Sequence, residues 1–201
     1  RAHAPWRDHS YDLAFDARAD TRFQHRSHHY TTTATTVVAL HEAAARRLVE
    51  GAAPSAPFSR PGGDGAPPST CTAVAVFFPS YAYAEAILKE VASVAPALRL
   101  VLQPKLRDLA AQSAWVEESL LLADALFLVL GSSFAESIDA LGGRVTHAMV
   151  VGPALPEVNA VQRARLAELT RAGLTREAAF RQVYQIPGMT KVNQALGRLV
   201  R

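Results

Sequence analysis

Four short apolar runs, each separated from the next by a stretch of helical periodicity or by a connecting loop, predict an α/β fold with a mainly parallel sheet covered by helices on both faces. The strand candidates are TAVAVFF (72–78), LRLVLQ (98–103), ALFLVLG (125–131) and VTHAMVVG (145–152). Their apolar character is largely continuous rather than alternating, which marks strands buried on both sides. Strands that alternate with helices pair in parallel, because a parallel connection needs a long crossover.

Taken in order, the chain opens on a polar segment rich in His, Arg and Thr that runs to about Thr36. VVALHEAAARRLVEG (37–51) then reads as a helix stopped by Gly51. AAPSAPFSRPGGDGAPPST (52–70) is dense in Pro, Gly and Ser and reads as a surface loop. YAEAILKEVASV, with apolar positions at Ile87, Val91 and Val94, is the helix after the first strand, and a second helix spans about Leu106 to Leu122. Helices at about 158–172 and 175–184 follow the fourth strand, and the IPG triplet at 186–188 is expected to break the chain before a last helix. The expected organisation is therefore an entry segment with a first helix (1–50), a Pro/Gly-rich loop (51–70) and an α/β domain (71–201), with no internal repeat.

Composition narrows the function classes. The 201 residues, 49% hydrophobic and 19% charged, are enough for one domain with a sizeable core. An excess of 21 Lys plus Arg over 18 Asp plus Glu gives a net charge of only +3, so the placement of the cations matters more than their number. The single cysteine, Cys71, excludes a disulfide framework and a thiolate-built cluster within this chain, and points to a reducing, cytoplasmic compartment. The longest apolar run, LLLADALFLVL (120–130), is too short to span a membrane and contains Asp124. The chain shows no signal-peptide pattern and begins on Arg1, as a piece of a longer protein would.

In a parallel α/β sheet the loops at the carboxyl ends of the strands share one edge, where ligands bind. FPSY, QPK, GSSFAESID and GPALPE fall there. Ser80, in the first, can cap the following helix or meet a phosphate at its N-terminus. Glu136 and Asp139, three apart after the third strand, can share a helical face. The closing KVNQALGRLVR places Gln194, Gly197, Arg198 and Arg201 on one stripe of a helix, with Val192, Leu196 and Leu199 behind. A planar, permanently charged guanidinium stabilises charge that builds up on a transferring phosphoryl group, although cations near a helix C-terminus also have a purely structural use. His25, His28, His29 and His41 match no ligand template, and no metal site is expected. GxxxxGK[ST], GxGxxG and GxSxG are all absent, so any phosphate served by the arginines must be held mainly by another domain.

Together, FFPSYAYAEAIL, GSSFAESIDALGGRVTHAMVVGPALPE and YQIPGMTKVNQALGRLVR resemble motifs IV, V and VI of the second motor domain of DinG/XPD-type superfamily 2 DNA helicases, in particular bacterial members. The likeness covers about Thr72 to Arg201, and YDLAFDARADTRFQHRSHHY resembles more loosely the entry to that domain. It implies a RecA-like, P-loop NTPase-type three-layer sandwich that closes over ATP and Mg2+ held by an N-terminal motor domain of the same polypeptide. By carry-over Arg198 and Arg201 are catalytic, reaching the γ-phosphate. Asp139, Gln194 and Gly197 contact nucleotide, Glu136 serves coupling, and Ser80 and Tyr81 lie near single-stranded DNA. The family implies a DNA-stimulated ATPase of repair, monomeric and cytoplasmic; an iron–sulfur cluster, where present, sits in the first motor domain and not in this chain.

The sequence also departs from the family, which usually reads close to GGxFSEGID in motif V. Ser132 and Ser137 replace glycines and Ala135 replaces a serine. Serine in place of a glycine needed for positive φ costs about 1 kcal/mol. Two readings of different class follow: half of an ATP-dependent DNA helicase, inactive as a hydrolase in isolation, or a degenerate helicase-like domain that binds DNA or protein without ATPase activity. A stand-alone enzyme acting on a small phosphorylated substrate is disfavoured by the missing phosphate cradle.

Overall fold

The computed structural model describes residues 12–51, 73–132, 141, 144–197 and 199. Four strands, β1 (Val74–Phe78), β2 (Leu100–Leu102), β3 (Ala125–Val129) and β4 (Ala148–Val150), form one sheet in the order β2-β3-β1-β4. All three pairings are parallel. The central pair carries the register Val74↔Ala125 to Phe78↔Val129, and every residue of both strands is buried.

Strand order and crossover handedness together decide which helix covers which face. The step from β1 to β2 runs across β3 in one direction, and the step from β2 to β3 runs back. Right-handed crossovers taken in opposite directions put their helices on opposite faces. Accordingly α2 (Tyr81–Val94) packs Tyr83, Ala84, Ile87 and Val91 with Val74, Val76, Phe78 and Phe127. On the other face α3 (Leu109–Leu122) packs Val116 and Leu120 with Ala75, Phe77, Leu126 and Leu128. Leu141 and Val145, between β3 and β4, join α3's face, as a step in the same direction requires. The three-layer α/β sandwich expected from the sequence is the one observed.

The first helix, α1 (Tyr30–Gly51), lies beside α2 and begins earlier than the apolar pattern suggests. Its first turns, YTTTATT, hold a helix because Thr33 and Thr36 return their hydroxyls to the carbonyls of His29 and Thr32, four residues back. Thr33 and Ala34 are buried there, Thr31 donates to Glu90 of α2, and Tyr30 lies 5.5 Å from the Tyr83 ring. A 3-10 turn (Arg26–His29) precedes the helix, and the Arg26 guanidinium sits 4.7 Å from the Phe23 ring and 4.6 Å from that of Tyr83. Further on, Thr21 lies against Gly152, whose φ of 73° leaves no room for a side chain, so the entry segment is seated at the carboxyl end of β4.

The expected break at IPG is not present. α4 (Ala160–Arg171) turns at Gly173 into α5 (Arg176–Phe180), and from there the helix continues through a π stretch (Arg181–Gln185) into α6 (Ile186–Gly197). In the π stretch the Ile186 N–H reaches back five residues to Arg181. A proline inside an α-helix removes one donor and crowds the carbonyl of the preceding turn, and the wider π turn just before Pro187 relieves that crowding. Gly188 is buried within the helix, where a Cβ would lie 2.8 Å from the Leu155 side chain. This glycine therefore permits close packing and does not end a helix.

At the amino end of the sheet Asp124 accepts from the Arg99 backbone N–H at 2.8 Å and from its guanidinium at 2.7 Å, joining the starts of β2 and β3. His41 of α1 approaches the same carboxylate at 4.0 Å. The Arg99 hydrogen bond, outweighing the cost of partial burial, holds the Asp124 pKa below the ordinary aspartate value. A depressed folded-state pKa contributes stability that is present above the unfolded value, ~3.9, and lost as pH falls through the folded value. Asp124→Asn should destabilise the fold by about 1 kcal/mol at neutral pH, a modest figure because Arg99 is largely solvated. Denaturant unfolding should show the two proteins converging as the pH is lowered through the depressed pKa of Asp124; a constant gap down to that pH would refute the ion-pair account.

Candidate functional site

The carboxyl ends of β1, β2 and β3 bring three loops to one edge, and a single buried amide joins them. Gln103 follows β2 directly and is 2% exposed. Its Oε1 accepts the Val129 backbone N–H at 2.7 Å, and its Nε2 donates to the Tyr81 hydroxyl at 2.7 Å. The backbone N–H can only donate, so it fixes which end of the amide faces β3 and leaves the NH2 facing Tyr81. Ser132 sits on the same group: its hydroxyl lies 2.6 Å from the Val129 carbonyl and 3.3 Å from Gln103 Oε1. With one proton and two acceptors, the serine bonds the carbonyl best and the amide more weakly.

Ser80 has the capping role open to it from the sequence. Its backbone is extended, and its hydroxyl accepts the Tyr83 N–H at 3.4 Å at the start of α2. Tyr81, half-buried, is the first residue of that helix, and Lys105 sets its ammonium 4.9 Å from the ring centroid. Gly131 opens the loop after β3 at φ 75°. A Cβ there would meet the Lys191 Nζ at 2.8 Å, so the lysine of α6 lies directly on this turn.

On α6, Val192 and Ala195 are buried, and Leu196, with Leu199 just beyond the helix, packs against the same cluster on the sheet. Gln194 and Gly197 are exposed on the opposite side, and a Cβ at Gly197 would enter open space. The helix has the buried back and open front that its spacing predicts. Lys191, three residues before Gln194, extends that front to the loop after β3. Glu136, Asp139, Arg198 and Arg201, with Ala135 and Ser137, lie outside the described residues. Among the described residues no three His, Cys, Asp or Glu side chains are placed to share a metal ion, and no helix is long and apolar enough to cross a membrane.

Sequence reading placed the QPK loop on this edge but singled out none of its residues. The signal for Gln103 was a lone amide at the end of an apolar strand, and for Lys191 its place on the stripe of Gln194. Gly131→Ala should lower stability by about 1–2 kcal/mol, from positive φ and the displaced Lys191. Gly197→Ala, at a helical and unobstructed position, should be neutral or stabilising by about 0.5 kcal/mol. Melting of the two variants side by side checks both, and equal losses would contradict the packing described.

Comparison with known proteins agrees with this geometry. The sequence matches the model of the family described as "Helicase C-terminal domain" over residues 68–201. Among solved structures, one described as XPD helicase matches with a TM-score of 0.56 and 16% identity, over 90% of this chain and 27% of that one. The chain thus spans about a quarter of that protein's length, and at this identity the likeness is one of fold. No curated protein sequence matches. The chain belongs to the helicase C-terminal domain family and has the RecA-like fold of the XPD type.

Proposed function

We propose that this chain is the C-terminal motor domain of an ATP-dependent, single-strand-DNA-stimulated DNA helicase of the DinG/XPD type. In this reading it supplies arginines to ATP held by an N-terminal motor domain of the same polypeptide. The observation that carries the reading is α6. Its apolar back is docked on the sheet through Val192 and Ala195, while Gln194 and Gly197 face outward on the stripe that Arg198 and Arg201 continue in the sequence. A docked helix with an open front can meet a ligand bound to another body without rearranging itself, which is the use that preorganised charge has in catalysis.

Among the described residues, a lysine and an open helix front support an anionic phosphate as the ligand. Lys191 lies on the turn at Gly131, and nothing stands within 4 Å of the position a Cβ would take at Gly197. Mg2+ is assigned, with the triphosphate, to the first motor domain on the strength of the family resemblance alone. Bound ATP supplies the phosphoryl group to be transferred. The work of Arg198 and Arg201 is to neutralise the charge that spreads over its oxygens in the transition state. Gln194 presents an amide able to hydrogen-bond at the same front, and Asp139 and Glu136 are assigned to nucleotide contact and to coupling on the strength of the motif alone.

The degenerate binding module is the second reading, and Ser132 is what favours it. Where the family carries glycine, this hydroxyl fastens the start of the motif V loop to the Val129 carbonyl. A fastened loop has less freedom to respond to nucleotide.

One assay separates the two readings. In the complete parent protein, single-strand-stimulated ATP hydrolysis should fall by about 10³-fold or more in an Arg198→Ala, Arg201→Ala double variant. Single-strand binding, measured by fluorescence anisotropy, should stay within a few-fold of the wild type. Undiminished turnover in the variant would refute the arginine assignment, and a folded parent with no turnover would favour the binding module.

A further inference from the structure

Gln103 lies outside every motif that assigned a role by resemblance, yet its side chain bonds both Tyr81, after β1, and Val129, at the end of β3. From this we infer that Gln103 is a positioning residue. Its amide directs the Tyr81 hydroxyl outward as a hydrogen-bond donor to a phosphate of single-stranded DNA and, through the same group, fixes the loop after β3. The inference rests on the proposed helicase function.

The direction of each proton follows from the donors available. Val129 N–H must donate, so Gln103 Oε1 is the acceptor and its NH2 faces Tyr81. A phenol that accepts from an amide has its own proton left over. Among the described residues nothing accepts that proton, and Tyr81 is only half-buried at the start of α2. Lys105, exposed and 4.9 Å from the ring centroid, adds a cation beside it. An outward hydroxyl donor beside an ammonium suits a phosphodiester oxygen, the group that sequence-independent strand binding recognises. The same amide accepts from Val129 and more weakly from Ser132, so a movement of Tyr81 strains the first residues of motif V.

Gln103→Glu separates this role from simple packing. The carboxylate keeps the size of the side chain and still accepts from Val129 N–H and Ser132, but it cannot donate to Tyr81. The Tyr81 proton then turns inward to the carboxylate and is lost to the strand. ATP turnover of the complete parent protein is measured against increasing oligo-dT, with melting temperature as the folding control.

Gln103→Glu and Tyr81→Phe should each raise the oligo-dT concentration for half-maximal stimulation by about three- to tenfold, the worth of one hydrogen bond. The double variant should be no worse than the poorer single one, because both remove the same donor. A glutamine that merely packs would alter the melting temperature and leave half-saturation where it was.

Wild-type half-saturation in a folded Gln103→Glu, or fully additive losses in the double variant, would overturn the inference while leaving the helicase reading intact. If Gln103→Glu fails to fold, Tyr81→Phe decides: unchanged half-saturation overturns the inference, and a raised value together with weaker oligo-dT binding supports it. A parent protein that shows no stimulation at all overturns the functional reading and this inference with it.

Discussion

The structure depends on the burial of β1 and β3 from both sides. Two adjacent strands with no polar face must be covered twice, and the reversal of chain direction between the β1-to-β2 and β2-to-β3 steps supplies that cover by sending α2 and α3 to opposite faces. The same reversal has a geometric by-product. At the carboxyl ends of the central strands the departing chains diverge, and the crevice between them is where loops from β1, β2 and β3 approach one another. A hydrogen-bonding side chain placed just past β2 can therefore reach both neighbours, as Gln103 does.

Much of this was legible in the sequence, because it depends on patterns that tertiary context rarely overrides. Continuous apolar strands announced the parallel sheet, and the spacing of Val192, Leu196 and Leu199 announced the docked back of α6. The elements that were misread share a cause. YTTTATT looks poor for a helix by propensity, and IPG looks like a stop, yet in each case tertiary contacts determine the outcome. Burial of Thr33 and Ala34 against the neighbouring helix holds the first, and a π turn with a close Gly188 to Leu155 contact accommodates the second. Gln103 could not be valued from sequence, since its importance lies in which loops the fold brings to it. The carried-over residues Glu136, Asp139, Arg198 and Arg201 are legible only as motif.

The two ends of the sheet serve different purposes. At the amino end Asp124 and Arg99 tie β2 to β3 through an ion pair whose backbone and side-chain bonds converge on one carboxylate. At the carboxyl end the contacts of Gln103 are neutral and short, Lys105 stands over the Tyr81 ring, and Lys191 lies against Gly131. In the proposed function the carboxyl rim is the face that meets ligands, and the placement of these cations supports that reading more than the small net charge does.

In the proposed function the open front of α6 meets a nucleotide bound by another domain. Amide hydrogen exchange in the complete parent protein, with and without a non-hydrolysable ATP analogue, tests it directly. The analogue should slow exchange in the last helix, from Lys191 onward, and in the turn at Gly131 on which Lys191 rests, while the amino end of the sheet around Asp124 stays unchanged. Saturating analogue that protects the first motor domain but leaves the last helix and the Gly131 turn as they were would contradict it.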